Sequence, residues 1–175
     1  MPDTRSTQNA TPRRLAVLAQ KVAGAKASER AALGDRDSAV VAAVRAGARL
    51  DEIGHAAGIT KAAASVIARK LLDPRPGRGG PYRRRRGAEA ALADVKDAAR
   101  RVHDAARHRR QAVAERDVAV LEAVEAGLSV RSISVEVAME PKVVHNLVRR
   151  RRIEATHKQT GAVASQLEND CELSP

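Results

Sequence analysis

Arginine is the residue whose distribution in this sequence first suggests a chemistry, because it occurs in runs. Residues 83–86 and 149–152 each consist of four consecutive arginines. In total, 32 Lys and Arg stand against 21 Asp and Glu, which gives a formal net charge of +11 at pH 7. A GC-rich genome would explain the preference for Arg over Lys, but it does not explain the excess of cations over anions. A chain this basic usually meets a polyanion, so the charge predicts one as the partner.

The side chains that most often catalyse reactions or bind metals are not arranged here for either task. Among them are His55, His103, His108, His157 and Cys171. Their spacing matches no metal-ligand set, alone or with paired carboxylates, and surface positions explain the histidines better. The sequence also contains no nucleophile–base pair and no phosphate-binding loop. It therefore predicts no enzyme activity, no metal and no cofactor.

Aromatic side chains are nearly absent, since Tyr82 is the only one and the chain has no Phe or Trp. The core must be built from Ala, Val, Leu and Ile, which favours closely packed helices. Base-stacking platforms of the single-strand-binding and RNA-recognition types need exposed rings, and small-molecule pockets are commonly lined by them. The composition argues against all of these sites.

No segment has the features of a signal peptide or a membrane span. Residues 1–14 are polar, and no apolar run approaches the ~20 residues that cross a bilayer. The single cysteine, Cys171, excludes an internal disulfide and fits a reducing compartment. We therefore expect no contact with a membrane and a cytoplasmic, nucleoid-associated location.

An internal repeat organises the sequence. Residues 36–47, RDSAVVAAVRAG, align without a gap with residues 116–127, RDVAVLEAVEAG, at a shift of 80. The same shift relates Ile53 to Ile133 further along the chain. Alanine matches carry little weight in so alanine-rich a chain, so the Arg-Asp, Val, Gly and Ile matches are the evidence. We conclude that the sequence contains a duplication, and we expect the repeated Arg-Asp pairs to be ion pairs on a helix face.

The pattern predicts an all-α protein in which each repeat is a long helix followed by two short ones. The predicted segments are a disordered arm at 1–10, the first repeat at 11–72, a basic Pro/Gly/Arg linker at 73–87, the second repeat at 88–153 and a disordered tail at 154–175. Thr11 would cap the first long helix, with Pro12 at its first position, and Gly47 would end it. Gly24 and Gly34 are the positions at which this helix would break or kink.

Each predicted long helix carries a narrow apolar seam at heptad spacing. The seams are Leu15, Leu18, Val22 and Ala25 in the first helix, and Val95, Ala98, Val102 and Ala105 in the second. A seam of about two heptads is too short to be stable alone. We expect the two seams to pack together and to fix the spacing of the repeats.

The two short helices of the first repeat have the spacing of a helix-turn-helix motif. The residues predicted to face inward are Leu50, Ile53, Ala57, Ile59, Ala64 and Ile67. Gly54 would let the two helices cross closely, and Gly58 would supply a turn with positive φ, which only glycine adopts without steric cost. Thr60 would cap the second helix.

Residues 36–70 resemble the helix-turn-helix of bacterial repressors, recombinase DNA-binding domains and sigma-factor region 4. The resemblance is strongest to short actinobacterial and phage regulators, in which a charged helix ends in Ala-Ala-Gly and L-x-x-I-x-x-x-x-G-I follows. In the second repeat Ile133, Ser134, Val137, Val144 and Leu147 preserve the core pattern. Ala138 replaces the turn glycine there, at a cost of about 1 kcal/mol if φ stays positive. Pro141 suits the first position of the following helix.

In such a motif the second helix enters the major groove of DNA, which implies a set of base-reading residues. In the first repeat these are Thr60, Lys61, Ala62, Ser65, Val66 and Arg69; in the second they are Lys142, Val143, His145, Asn146 and Arg149. Asn146 suits a bidentate contact with adenine, while Ala62 and Val66 suit thymine methyl groups. The two repeats are therefore expected to read different sequences.

The remaining arginines in the basic segments are candidates for phosphate or minor-groove contacts. They are Arg75, Arg78, Arg83, Arg84, Arg85 and Arg86 in the linker, with Arg150, Arg151 and Arg152 after the second motif. The alternatives are a flexible solubilising run in the linker and a solvated helix end that neutralises the helix dipole. Residues 74–79 only weakly resemble an AT-hook, because the Gly-Arg-Pro core is absent.

Charge and motif together predict a sequence-specific protein of double-stranded DNA, most simply a transcriptional repressor. The alternatives are an architectural or assembly DNA-binding protein, as in plasmid partition, recombination or phage packaging, and a helical protein-interaction module. A homodimer through the long helices is a possible form. A single chain on an asymmetric site is preferred, because duplication already supplies two unlike motifs.

Overall fold

The computed structural model describes residues 4–72, 87–151 and 153, with side chains from residue 11 onward. These residues form six helices and no strand. The helices are α1 (Thr4–Arg45), α2 (Leu50–Ala57), α3 (Lys61–Leu71), α4 (Ala88–Glu125), α5 (Val130–Glu136) and α6 (141–151). The prediction of an all-α fold is confirmed for this part of the chain.

The chain divides into two compact units that do not coincide with the segments 11–72 and 88–153. Unit 1 combines Met1–Lys21 with Val113–Pro175, and unit 2 is Val22–Ala112. Each long helix therefore contributes to both units. Unit 1 takes the first part of α1 and the last part of α4, whereas unit 2 takes the remainder of each.

The core of unit 2 encloses α2 and α3 between the end of α1 and the start of α4. Its buried residues are Val40, Ala43, Ala48, Ile53, Ala57, Ala64, Ala88 and Val95. Leu50, Ile59 and Ile67 pack against this cluster as partly buried side chains. The residues of the first motif that the sequence predicts to face inward therefore do so. Leu92 of α4 packs against the same cluster.

The core of unit 1 is built in the same way around α5 and α6. Its buried residues are Leu15, Ala119, Val120, Ala123, Ile133, Val137 and Val144. Leu18 of α1 and Leu147 of α6 pack against it. The first-helix seam residues Leu15 and Leu18 thus belong to unit 1, while Val95 lies in the core of unit 2. Leu15 and Leu18 therefore lie in a different core from Val95, so these residues of the two seams do not pack on each other as predicted.

Within each unit, α1 and α4 run antiparallel. In unit 2, Glu29 pairs with Arg109 at 3.0 Å, whereas Val40, further along α1, shares the core with Val95 near the start of α4. In unit 1, Arg14 pairs with Glu122 at 2.8 Å, and Lys21 pairs with Glu115. The two pairs of unit 1 are largely solvent-exposed, so the apolar contacts beneath them supply most of the stability there.

Helix α1 departs from the sequence prediction at its start and in its interior. It begins at Thr4 instead of at Thr11, so Pro12 lies inside the helix and residues 4–10 of the predicted disordered arm are helical. Gly24 and Gly34 do not break it, since the helix is continuous to Arg45. An exposed helical glycine costs only about 1 kcal/mol, which the flanking helical residues and the buried Ala32 offset.

We expect Gly24→Ala and Gly34→Ala each to stabilise the protein by about 0.5–1 kcal/mol. A Cβ at either position meets no heavy atom within 4 Å, so the gain in helix propensity is not opposed by a clash. The measurement is the midpoint of chemical denaturation. Gly54→Ala is the contrasting variant and should gain less stability than the other two, because its Cβ would lie 3.0 Å from the Ile59 carbonyl oxygen.

No helix in the described part of the chain has an apolar stretch that could span a bilayer. The linker residues 73–86 and the tail from residue 154 lie outside the described residues.

Candidate nucleic-acid interface

Both long helices end in the same glycine turn, which directs the chain into the following short helix. Gly47 has φ +79° and Gly127 has φ +84°, a left-handed conformation that suits glycine. The amide N–H of Ala48 donates to the Ala43 carbonyl at 3.0 Å, and that of Leu128 donates to Ala123, also at 3.0 Å. These are Schellman caps, which satisfy the last carbonyls of a helix. Gly47 ends α1 as the sequence predicts.

The turn between α2 and α3 has the predicted glycine geometry. Gly58 has φ +63°, and the Ile59 N–H donates to the Gly54 carbonyl at 2.9 Å. Gly54 is buried, and a Cβ there would come within 3.2 Å of the Lys61 backbone nitrogen. The close approach predicted at Gly54 is therefore confirmed, and it is made to the start of α3.

The turn between α5 and α6 keeps the same backbone without glycine. Ala138 has φ +49°, and the Met139 N–H donates to the Ser134 carbonyl at 3.0 Å. Ser134 stands where the first motif has Gly54; it is 5% exposed, and its hydroxyl donates to the Val130 carbonyl at 2.7 Å. The second motif therefore accommodates a side chain at position 134, where the first has glycine. At position 138 its alanine adopts the positive φ that is strained for a residue with a Cβ.

We expect Ala138→Gly to stabilise the protein by about 1 kcal/mol, because glycine adopts positive φ without the steric cost of a Cβ. In a chain of this size that corresponds to a rise in Tm of about 2–4 °C. Thermal denaturation followed by circular dichroism measures it. Ala114→Gly, at an exposed position inside α4, is the control and should lower Tm by a similar amount. A fall in Tm for both variants would contradict the strain at Ala138.

Helix α3 begins at a side-chain cap and presents the predicted residues to solvent. The Thr60 hydroxyl accepts the Ala63 N–H at 3.1 Å, as predicted for this N-cap. Lys61, Ala62, Val66 and Arg69 are exposed and Ser65 is partly buried, while Ala64 and Ala68 on the opposite side are buried. The Arg69 guanidinium donates to the Ser65 hydroxyl at 3.2 Å, which holds both polar groups on the exposed side.

Helix α6 has the same division between a buried and an exposed side. It starts at Pro141, the position predicted for this proline. Val144 is fully buried and Leu147 packs against the same core. The exposed residues include Lys142, Val143, His145, Asn146 and Arg149, the complete set predicted for this helix. The exposed side therefore offers an amide, an imidazole and two cations for hydrogen bonding.

Comparison with family models, with curated proteins and with solved structures gives no match to this chain. The function must therefore be inferred from the side chains themselves.

The basic residues after α3 and α6 are only partly within the described chain. Arg150 and Arg151 are exposed at the end of α6. Arg152 and the linker arginines Arg75, Arg78 and Arg83–Arg86 lie outside the described residues. The repeated Arg-Asp pairs are ion pairs, as predicted: Arg36 reaches Asp37 at 2.7 Å, and Arg116 reaches Asp117 at 2.6 Å.

Asp51 is the second residue of α2, and its backbone environment lowers the pKa of its carboxyl group. Its own backbone N–H holds the pKa of Asp51 below the ordinary value, and Arg49 and Lys61 act in the same direction. The Glu52 carboxylate accepts the Arg49 N–H at 3.0 Å and so caps the helix. In the described residues no three His, Cys, Asp or Glu side chains are placed to hold a metal ion.

The sequence prediction assigned no role to the cations in the middle of α4. Lys96, Arg100 and Arg107 line a groove of about 710 Å³ in unit 2 together with Gly58 and Ile59 of the turn. Their signal in the sequence is a spacing of four and seven residues, which places them on one helix face.

Proposed function

We propose that this protein binds double-stranded DNA sequence-specifically through two helix-turn-helix motifs, α2–α3 and α5–α6. The observation that carries the proposal is that α3 and α6 each have one buried side and one exposed side. Each follows a left-handed turn, buries apolar residues in a core, and leaves the residues expected to read bases exposed, except the partly buried Ser65. The net charge of +11 supports a polyanionic partner.

The biological role we propose is transcriptional regulation, most simply repression by occupying a promoter. The exposed sides of the two helices differ, since Val66 stands at the position that Asn146 occupies in the second motif. A single chain would therefore favour an asymmetric site with two unlike halves. The covalent link raises the effective concentration of the second motif once the first has bound.

Selection of bound sequences from a pool of random duplexes tests the proposal. The expected result is a recurrent motif containing two unlike halves. Binding without enrichment, combined with footprints over long or scattered stretches, would favour an architectural or assembly protein instead. The absence of binding at 50 mM salt would overturn DNA binding and leave a protein-interaction module.

Asn146→Ala should weaken binding to the selected site by about 1–3 kcal/mol and relax the preference at one base pair, because a bidentate contact with adenine is lost. The measurement is affinity for the selected site and for its single-base variants. Gln20→Ala removes an exposed amide from α1 and serves as the control. An unchanged preference in the Asn146 variant would show that α6 does not read bases.

A further inference from the structure

Helix α4 carries a row of basic side chains along one face within unit 2. The row consists of Lys96, Arg100, His103, Arg107 and Arg110. Successive members are four, three, four and three residues apart, which keeps them on one helix face over about 21 Å. All of them are exposed. We call this set the α4 basic row.

The α4 basic row lies beside the turn that leads into α3. Its first four members line one wall of the groove of about 710 Å³, and Gly58 and Ile59 line another. Ile59 directly precedes Thr60, the N-cap of α3. A duplex that received the start of α3 in its major groove would therefore bring one of its phosphate strands towards this row.

Two arginines of the row form ion pairs within α4, and both pairs are exposed to solvent. Arg100 pairs with Asp97 at 3.3 Å and Arg107 pairs with Asp104 at 2.6 Å, both within α4. The two arginine side chains remain 66% and 63% exposed, and exposed pairs of this kind contribute little, so a phosphate can compete for the guanidinium groups.

The acids Asp51 and Glu52 lie beside Lys96 at the first end of the row. Arg100, Arg107 and Arg110 lie further along α4 and do not line the pocket that Lys96 shares with these two acids.

The charge of the row is not required by the fold. At a shift of 80, the corresponding positions of α1 are Ala16, Gln20, Ala23, Ala27 and Arg30. Only the last of these is charged, although α1 also packs with a helix-turn-helix motif, through Leu15. Lys96, Arg100 and Arg107 therefore have no charged counterpart in the first repeat, which favours a ligand over helix packing as the reason for their charge, whereas Arg110 has a counterpart in Arg30.

We propose that Arg100, Arg107 and Arg110 bind the phosphate backbone of the same DNA whose major groove α3 enters. The inference rests on the proposed function. A row of 21 Å matches the axial length of about six phosphates of one strand, at about 3.4 Å per phosphate. Phe, Tyr and Trp are absent from the described residues, and the guanidinium groups of these three arginines suit phosphate oxygens, so we assign the contact to the backbone, independent of sequence.

The test compares two variants that each lose three positive charges. The row variant is Arg100→Gln, Arg107→Gln and Arg110→Gln; the control is Arg13→Gln, Lys26→Gln and Arg30→Gln, all exposed positions of α1. Affinity of the full-length chain is measured between 50 and 200 mM salt, for the selected duplex and for a random duplex of equal length. A further variant replaces Arg100, Arg107 and Arg110 with Lys, which keeps the charge. If it binds as the wild type does, substitution at these positions does not by itself disrupt folding.

The row variant should bind both duplexes about tenfold or more weakly at 100 mM salt. Its slope of log affinity against log salt should be smaller by about 2–3, because each lost phosphate contact removes about 0.9. The control and the Lys variant should keep the wild-type slope. Equal slopes for the row variant and the control would overturn the proposal while DNA binding stands. A wild-type chain that binds neither duplex would overturn the proposed function itself.

Discussion

A fragment of residues 22–72 should be largely unfolded in dilute solution, whereas a fragment of residues 22–112 should fold. The shorter fragment contains the complete first helix-turn-helix motif but lacks α4. In the intact chain, Val95 is fully buried and Ala88 is 1% exposed against that motif, with Leu92 packed beside them. The motif alone therefore exposes a face that α4 normally covers.

The loss of folding stability in the shorter fragment can be estimated from the α4 side chains that it lacks. Full burial of a Val side chain contributes about 1.5–3 kcal/mol, so Val95 alone accounts for about that much, and the partly buried Leu92 adds to it. Domains of this size are stable by only about 5–15 kcal/mol. Helices of 8 and 11 residues, the lengths of α2 and α3, are not stable by themselves in water.

Far-UV circular dichroism with urea titration measures the difference between the fragments. The longer fragment should unfold cooperatively, and the shorter one should show little helix and no transition. Equal midpoints for both would mean that α4 is dispensable for the first motif, and that unit 2 does not need the second half of the chain.

DNA affinity should fall about 10³-fold or more between 50 and 200 mM salt. The cations on the exposed sides of α3 and α6, the arginines at the end of α6 and the linker arginines together suffice for roughly six to ten phosphate contacts. Each contact releases counterions, so the logarithm of the affinity falls steeply with the logarithm of salt. Fluorescence anisotropy with a labelled duplex over this range measures the slope.

Two variants distinguish a loss of affinity from a loss of phosphate contacts in the salt experiment. Asn146→Ala should lower affinity without changing the slope, because an amide releases no counterions. Arg150→Ala with Arg151→Ala should reduce the slope, since both side chains are exposed at the end of α6. A nearly flat dependence in the unmodified chain would show that the arginine runs do not contact the DNA backbone.

Much of the local structure could be predicted from the sequence, because it depends on backbone chemistry within a few residues. The positive φ at Gly58, the Thr60 cap and the helix start at Pro141 follow from that chemistry. The buried side of α2, including Ile53, follows from helical periodicity. The exposed sides of α3 and α6 are then the complements of their buried sides.

Other features of the fold depend on packing that the sequence pattern does not specify. Neither Gly24 nor Gly34 ended α1, because a single exposed glycine is too weak a signal to stop a helix that is supported on both sides. The basic row of α4 was visible as a spacing. The row comes to lie beside the turn at Gly58 and Ile59 only because α4 packs against that turn in unit 2.

The sequence by itself determined the helices, their turns and the apolar side of each short helix; the tertiary structure decided which helix covers that side. Periodicity indicates that seam residues such as Leu15 and Val95 are buried. It does not indicate which helices cover them, because the two long helices carry nearly equivalent seams. In the structure Leu15 enters the core around α5 and α6, and Val95 enters the core around α2 and α3. Each compact unit therefore draws on both repeats, since antiparallel pairing of α1 and α4 brings the start of one long helix to the end of the other.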